Sequence, residues 1–252
     1  MSRAKQTESG TKPPGARTEA EASRWVQSMF GRVAHRYDLL NHLLSFNVDR
    51  YWRRRTVRRV RDVLRRPGAR VMDMCCGTGD LLVALEHERG GPVWGSDFCH
   101  PMLVMARRKF AERRSASTVF EADALQLPLP DRSIDLITVA FGFRNFANYR
   151  DGLREMLRVL RPGGVAAILE FSQPPNRLFA ALYDFYSKRV LPRVGGFISG
   201  AGDAYRYLPE SVRRFPGADE LADEMRRAGF GEATFERMTG GIVALHIGVA
   251  GG

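Results

Sequence analysis

Apolar positions change their period along the chain at about residue 70. Between Trp25 and Phe46 they recur near helical spacing, at Trp25, Met29, Val33, Tyr37, Leu40 and Leu44, which predicts one or two short helices. Val57, Val60 and Leu64 then form an apolar stripe while Arg54, Arg58, Arg61 and Arg65 form a second one, so an amphipathic helix with a basic face is expected. From Arg70 onward short apolar runs alternate with helical periodicities. VMDM is followed by a helix over 80–88, VWGSD by a helix over 101–114, and further strands are expected at 118–121, 134–140 and 165–171. A helix over about 150–160 ends at Arg161-Pro162-Gly163-Gly164, since proline and glycine cannot continue it. A last helix, 219–228, precedes two strands, 233–237 and 242–249, which read as a terminal antiparallel hairpin. Strand–helix alternation of this kind builds an α/β fold on a doubly wound, mostly parallel sheet.

Residues 1–22 are polar and aperiodic and are expected to be a disordered tail. Residues 23–252 are expected to form one domain, with an N-terminal helical cap over 23–66 and an insert over about 173–217 acting as a lid. Within that insert Phe179, Leu182, Tyr183, Tyr186 and Val190 make a helical stripe, continued by Phe197 and Ile198 in the glycine-rich stretch 195–202. The stripe suits a groove for an apolar ligand, and packing against the sheet explains it equally well.

Charge and cysteine content narrow the classes. The chain of 252 residues carries a formal net charge of +11, and residues 50–70 hold ten arginines against one acid, Asp62. Nucleic acid and anionic lipid are both candidate partners for such a face, and a solvated surface on a basic protein explains the same residues. Cys75, Cys76 and Cys99 have no spacing suited to a zinc site or a disulfide framework, so no metal is expected and a reducing, cytoplasmic compartment is. No run approaches the roughly 18 apolar residues of a membrane span, and the start lacks the apolar core of a signal peptide.

The loop after VMDM carries the chemistry. In a doubly wound sheet a ligand sits beyond the carboxyl ends of the strands at the switch point. There Gly77, Thr78 and Gly79 allow a sharp turn and a close approach, and the following helix presents its amino end. Asp97 ends the second strand with a carboxylate suited to both ribose hydroxyls of an adenosine. A dinucleotide fingerprint requires glycine where Leu82 stands, and Asp80 in the first turn repels a pyrophosphate but not a cationic sulfonium or ammonium. Asp123 and Ala124, after the third strand, are placed to meet the adenine. The expected fold is thus the Rossmann-like class I architecture of S-adenosylmethionine-dependent methyltransferases, with S-adenosylmethionine as cofactor. Residues 172–176, Ser-Gln-Pro-Pro-Asn, do not match the box that amino-methylating enzymes use on a flipped base, so no nucleic-acid partner is expected.

Tyr37-Asp38-Leu39-Leu40-Asn41 with Ser45 and Trp52, DMCCGTGD, AFGFRNF over 140–146 and RVLRPGGVAAILEFS over 158–172 together resemble the ubiquinone/menaquinone biosynthesis C-methyltransferase family, from about Phe30 to His246. The resemblance implies methyl transfer to a ring carbon of a polyprenylated quinol, giving menaquinol or an intermediate of ubiquinone, and cofactor contacts at Thr78, Asp97, Asp123 and Ala124. This sequence departs from the family pattern in having Asp49 where a histidine is usual, and Ala140 where some members have serine; the second leans the reading towards menaquinone. Carbon methylation needs an electron-rich ring, which a quinol becomes on losing a hydroxyl proton. Arg144 and Asn145, at the cofactor edge of the sheet beside Gly142, are the candidates to stabilise that oxyanion. Arginine is too basic to take the proton, so the base is left among His35, Asp38, Asp203 and Tyr205. No cysteine nucleophile is needed for such an acceptor. A contact with an anionic membrane at its inner face fits the substrate, and oligomeric state is left undetermined.

Overall fold

The computed structural model describes residues 10–186, Arg189 and 202–251. Its frame is one seven-stranded sheet in the order β3-β2-β1-β4-β5-β7-β6. The strands are β1 (Val71–Met74), β2 (Trp94–Asp97), β3 (Thr118–Glu121), β4 (Ile134–Ala140), β5 (Leu160–Phe171), β6 (Phe230–Met238) and β7 (Val243–Ala250). The first five run parallel, and β7 lies antiparallel between β5 and β6. Order reverses between β1 and β4, which places the switch point at the expected loop.

Alternate residues of the central strands feed two cores, one per face, as the pleat requires. Val71, Leu136, Leu169 and Leu245 pack with Leu82, Leu85 and Leu103 on one side. Met72, Ile137 and Ile168 pack with Leu153, Met156 and Leu221 on the other. The first layer comes from α5 (Asp80–Arg89) and α6 (His100–Arg113), the second from α7 (Tyr149–Val159) and a C-terminal helix over Ala218–Ala228.

The N-terminal cap is α1 (Glu19–Val33), α2 (Tyr37–Leu44), α3 (Val48–Arg59) and α4 (Arg61–Leu64); the insert supplies α8 (Arg177–Phe185) and α9 (Gly202–Arg214), and the C-terminal helix is α10. Three expectations are corrected. The tail is shorter than 1–22: Thr18 caps α1 through the Glu21 N–H, and Thr11 donates its backbone N–H to Phe146 O at 2.8 Å. The basic helix is broken at Val60, because burying Val60, Val63 and Leu64 together turns the chain there. Its expected basic face is consequently divided: Arg61 and Arg65 each reach Glu88 at 2.8 Å while Arg54 and Arg58 stay exposed. Finally, the helix ends where expected, but the strand expected over 165–171 begins earlier: β5 starts at Leu160 directly after α7, with Pro162-Gly163 an irregularity inside it. Val190, Phe197, Ile198 and most of the glycine-rich stretch lie outside the described residues.

Candidate active site

The loop between β1 and α5 has to turn within a few residues, and Cys75, Gly77 and Gly79 all take left-handed backbone angles to do it. Gly79 is also sterically required, since a Cβ there would lie 2.7 Å from the Phe110 ring. The second close approach is at Gly142, where a Cβ would meet Cys75 Cβ at 2.6 Å, so the loops after β1 and β4 touch. Between them and the end of β2 lies a cleft lined by Gly77, Asp97, Phe98, Met102, Asp123 and Ala124. The Asp97 carboxylate accepts the Gly77 and Cys99 backbone N–H groups, each at 2.9 Å, one on each oxygen. Each oxygen keeps lone-pair capacity for a hydroxyl of a ribose diol. Burial pushes the Asp97 carboxyl up to about 6, against those bonds.

A larger cavity of about 830 Å³ adjoins this cleft. Phe30, Tyr37 and Phe141 belong to the walls of both. Trp52, Phe141 and Phe171 form one apolar wall, with Phe141 and Phe171 ring centroids 4.9 Å apart. Phe179, Tyr183 and Tyr186 of the insert form another, so these three members of the expected stripe border a cavity; the Leu182 side chain lies outside the described residues. Arg144 is on this cavity's wall. Its Nη1 donates to Glu170 Oε1 at 2.9 Å and to Phe141 O at 2.5 Å, and its guanidinium lies 5.3 Å from the Phe171 ring centroid. Burial opposes its charge, but the Glu170 carboxylate outweighs it and raises the Arg144 pKa. Arg144 Nε and Ser172 Oγ are buried without a partner, and both residues belong to this wall.

The two residues assigned to one role from sequence are thereby separated. Asn145 belongs to the wall of the cofactor cleft and Arg144 to that of the apolar cavity. A short 3-10 turn, Phe143–Asn145, points successive side chains in different directions, and Phe143 between Gly142 and Arg144 is fully buried. Asn145 Oδ1 accepts from Tyr207 OH at 3.0 Å, and Tyr207 OH also lies 2.6 Å from Thr11 Oγ1. The amide is therefore engaged with the N-terminal segment and α9.

Among the candidate bases, His35 is exposed and lines neither space. Asp38 accepts from the Thr78 hydroxyl and from Lys109 Nζ at 2.7 Å, which explains the buried position of Thr78. The Asp203 and Tyr205 side chains lie outside the described residues. Asp80, read from sequence as a free charge at the helix start, is paired with Lys109 Nζ at 2.5 Å and lies 3.7 Å from Arg53. Repulsion of a pyrophosphate is correspondingly weaker than expected, and exclusion of a dinucleotide rests on Leu82, which is fully buried between strand and helix. Asp49 occupies the place of the missing histidine, and His42 Nδ1 reaches its carboxylate at 2.8 Å from α2. His42, Asp49 and Asp80 present ligand-type atoms within 4.8 Å of one another, but Arg53 and Lys109 already supply positive charge to that cluster.

Sequence reasoning missed Asp73, Glu170 and Tyr207. Asp73, in β1, is buried beneath the cofactor loop and accepts from Thr138 Oγ1 at 2.6 Å; burial pushes its carboxyl up to about 7. A polar residue inside an otherwise apolar strand was the available signal. Burial and nearby carboxylates hold the Cys75 and Cys76 thiols well above their usual pKa, so both stay protonated.

Glycine turns at a sheet switch point, a carboxylate closing the second strand and a first-turn Leu82 in place of a third glycine make this the fold and site of an S-adenosylmethionine-dependent methyltransferase. A solved structure titled as such an enzyme, a possible histamine N-methyltransferase from Thermotoga maritima, shares the fold over 88% of this chain and 98% of its own, with a TM-score of 0.61 at 19% identity. The ubiE/COQ5 methyltransferase family matches residues 17–250, and the chain belongs to that family. A demethylmenaquinone methyltransferase from Thermus thermophilus is 49% identical over 87% of this chain and 99% of its own length. A ubiquinone/menaquinone biosynthesis C-methyltransferase from Azotobacter vinelandii is 43% identical over 92% of each.

Proposed function

We propose that this methyltransferase alkylates a ring carbon of demethylmenaquinol to give menaquinol. The observation that carries the reading is the placement of a buried arginine on the wall of a large apolar cavity that shares Phe30, Tyr37 and Phe141 with the cofactor cleft. S-adenosylmethionine, held by Asp97 with Gly77, Asp123 and Ala124 around it, supplies an electrophilic methyl group; Thr78 and Gly79, expected from sequence to touch it, do not line the cleft and instead shape the loop, through Asp38 and the Phe110 ring. The aromatic wall of Trp52, Phe141 and Phe171 suits a flat bicyclic ring, and the cavity's volume leaves room for the first units of a prenyl tail. Arg144 faces the developing phenolate, an arrangement that lowers the cost of deprotonating a group which ordinarily titrates near pH 10. Its fork is fixed by Glu170 and Phe141 O, so orientation is settled before the acceptor arrives. Asn145 serves the cofactor side. The hydroxyl proton passes to water, since the guanidinium is too basic to take it.

Arg144→Ala is expected to lower single-turnover methylation of a short-chain demethylmenaquinol by about 10² to 10³ while S-adenosylmethionine affinity stays within about twofold. Removing Arg144 alone strands a buried carboxylate, so Arg144→Ala with Glu170→Gln is the companion variant, and it should show the same loss in a stably folded protein. Arg144→Lys should recover only part of the rate, because an ammonium cannot make the planar fork. Turnover unchanged in the paired variant overturns the role. The second reading, C-methylation of a polyprenyl methoxybenzoquinol, is favoured by relatives named for both pathways. Both acceptors offered to the purified protein separate the two. A hydrophobic acceptor of either kind also implies transient contact with a membrane surface. Among the described residues no helix is long and apolar enough to cross one.

A further inference from the structure

Two helices at the cavity carry apolar residues on two faces each. On α2, Tyr37, Asn41 and Leu44 belong to the cavity wall, at spacing i, i+4, i+7. Leu39, Leu43 and, just past the helix, Phe46 repeat that spacing on the outside, where they are 61%, 46% and 76% exposed. On α8 and its end, Phe179, Tyr183 and Tyr186 belong to the wall, while Leu178 and Phe185 are 83% and 60% exposed. The two helices are joined, since Tyr186 OH donates to Leu44 O at 2.9 Å and the Phe46 and Tyr186 rings lie 6.3 Å apart. Among the described residues the other large apolar side chains that stand exposed are Tyr51, at the start of α3, and Trp94 alone elsewhere. Exposed leucine and phenylalanine gathered around one cavity are not what a protein leaves facing water without use.

Charge decides what covers them. Along α3, directly after Phe46 and Asn47, Arg50, Arg54 and Arg58 recur at i, i+4, i+8, are exposed, and have no acidic partner among the described residues. Neighbouring arginines differ: Arg55 is held by Glu236, and Arg61 and Arg65 by Glu88. An apolar face continued along the chain by exposed arginines without an acidic partner, on a chain of net charge +11, repels a second copy of itself and attracts anionic headgroups. We propose that the outer faces of α2 and α8, with the arginine stripe of α3 beside them, seat on an anionic bilayer. The apolar side chains enter the acyl boundary, and the cavity between the inner faces then receives the acceptor's tail from the membrane without passage through water. This rests on the polyprenylated acceptor proposed above, and it sites membrane contact differently from the full arginine face expected from sequence.

The test uses the full chain and three exposed residues that line neither cleft nor cavity. Leu39→Asn with Leu43→Asn and Leu178→Asn is compared with wild type for co-sedimentation with vesicles of mixed phosphatidylcholine and phosphatidylglycerol. The triple variant should bind at least tenfold more weakly, and methylation of long-chain quinol embedded in those vesicles should fall in step. Its rate on a water-soluble short-chain quinol, and its affinity for S-adenosylmethionine, should match wild type. Arg54→Gln with Arg58→Gln should weaken binding to the anionic vesicles by about fivefold per charge and leave the residual binding to pure phosphatidylcholine unaltered. Wild-type vesicle binding by the triple variant overturns the proposal, as does a wild-type dimer that the same substitutions dissociate. Failure of wild type to methylate any quinol would instead sink the acceptor reading, because vesicle binding is measured without an acceptor.

Discussion

At the residue scale, Asp97 ties cofactor binding to pH. The role proposed for it, accepting two hydroxyl donors, requires the ion, yet burial lifts its carboxyl to about 6 from an ordinary 3.8. Affinity for S-adenosylmethionine should therefore be flat above pH 7 and fall towards about tenfold per unit below 6. Stability of the ligand-free protein runs the other way for this group. A raised acid favours folding below its unfolded pKa, and that contribution is lost as pH rises from about 4 through 6. Asp73, raised to about 7 from the same ordinary 3.8, adds the same sign over a window that extends one unit further, from about 4 through 7. Titration calorimetry at several pH values on wild type and Asp97→Asn checks the assignment: the variant should bind weakly with little pH dependence, and a wild-type curve flat from pH 5 to 8 would disprove it. Gly142→Ala probes packing at the same site. Its new methyl meets Cys75 Cβ at 2.6 Å, so a loss of about 1 to 3 kcal/mol is expected in chemical unfolding, with Cys75→Gly as a partial suppressor.

At the element scale, the cap helices are fastened to the cofactor loop by ions. Asp38 on α2 bonds Thr78 and Lys109; Asp49 and Arg53 on α3 join His42 and approach Asp80. Burial works against the Asp49 ion, but the Ser45 hydroxyl and Arg53 outweigh it and hold its carboxyl below the usual range. Asp49→Ala leaves Arg53 buried with only a distant partner and should cost about 3 to 5 kcal/mol. Asp49→Asn, which keeps the Ser45 bond, should cost less. Equal stability of the alanine variant and wild type, measured by urea unfolding, would show the network to be incidental. These ties were not legible in the sequence. The helical spacing of Tyr37, Leu40 and Leu44 is there, and so is the absence of the usual histidine at Asp49, but a ring supplied from His42 seven residues earlier becomes apparent only when α2 and α3 fold against each other.

At the scale of the whole molecule, the N-terminal segment reaches across to the site. Thr11 bonds Phe146 and Tyr207, Gly10 packs on Ala147, and Ser23 belongs to the cofactor cleft's wall. A chain lacking residues 1–17 should keep its fold and Tm within a few degrees, yet bind S-adenosylmethionine about tenfold more weakly, since two of the bonds that close that side of the cleft are gone. Unchanged affinity would show that the segment only packs there. What the sequence determined by itself was the part fixed by local pattern. Short apolar runs against the 3.6 period set strands and helices, their alternation set the parallel sheet, and backbone needs at Gly77 and Gly79 with a carboxylate at Asp97 placed the cofactor loop. What only tertiary structure decided was the pairing of side chains far apart in the chain. Arg144 and Asn145 are neighbours in sequence, but a 3-10 turn sends one to the apolar cavity and the other to the smaller cleft. The arginines of 50–70 look alike as letters, and the break at Val60 with the positions of Glu88 and Glu236 settles which are paired with an acid and which stay exposed. The cause is the same in both cases: periodicity records which face of an element is apolar, whereas charge pairing and cavity walls depend on which elements the fold brings together.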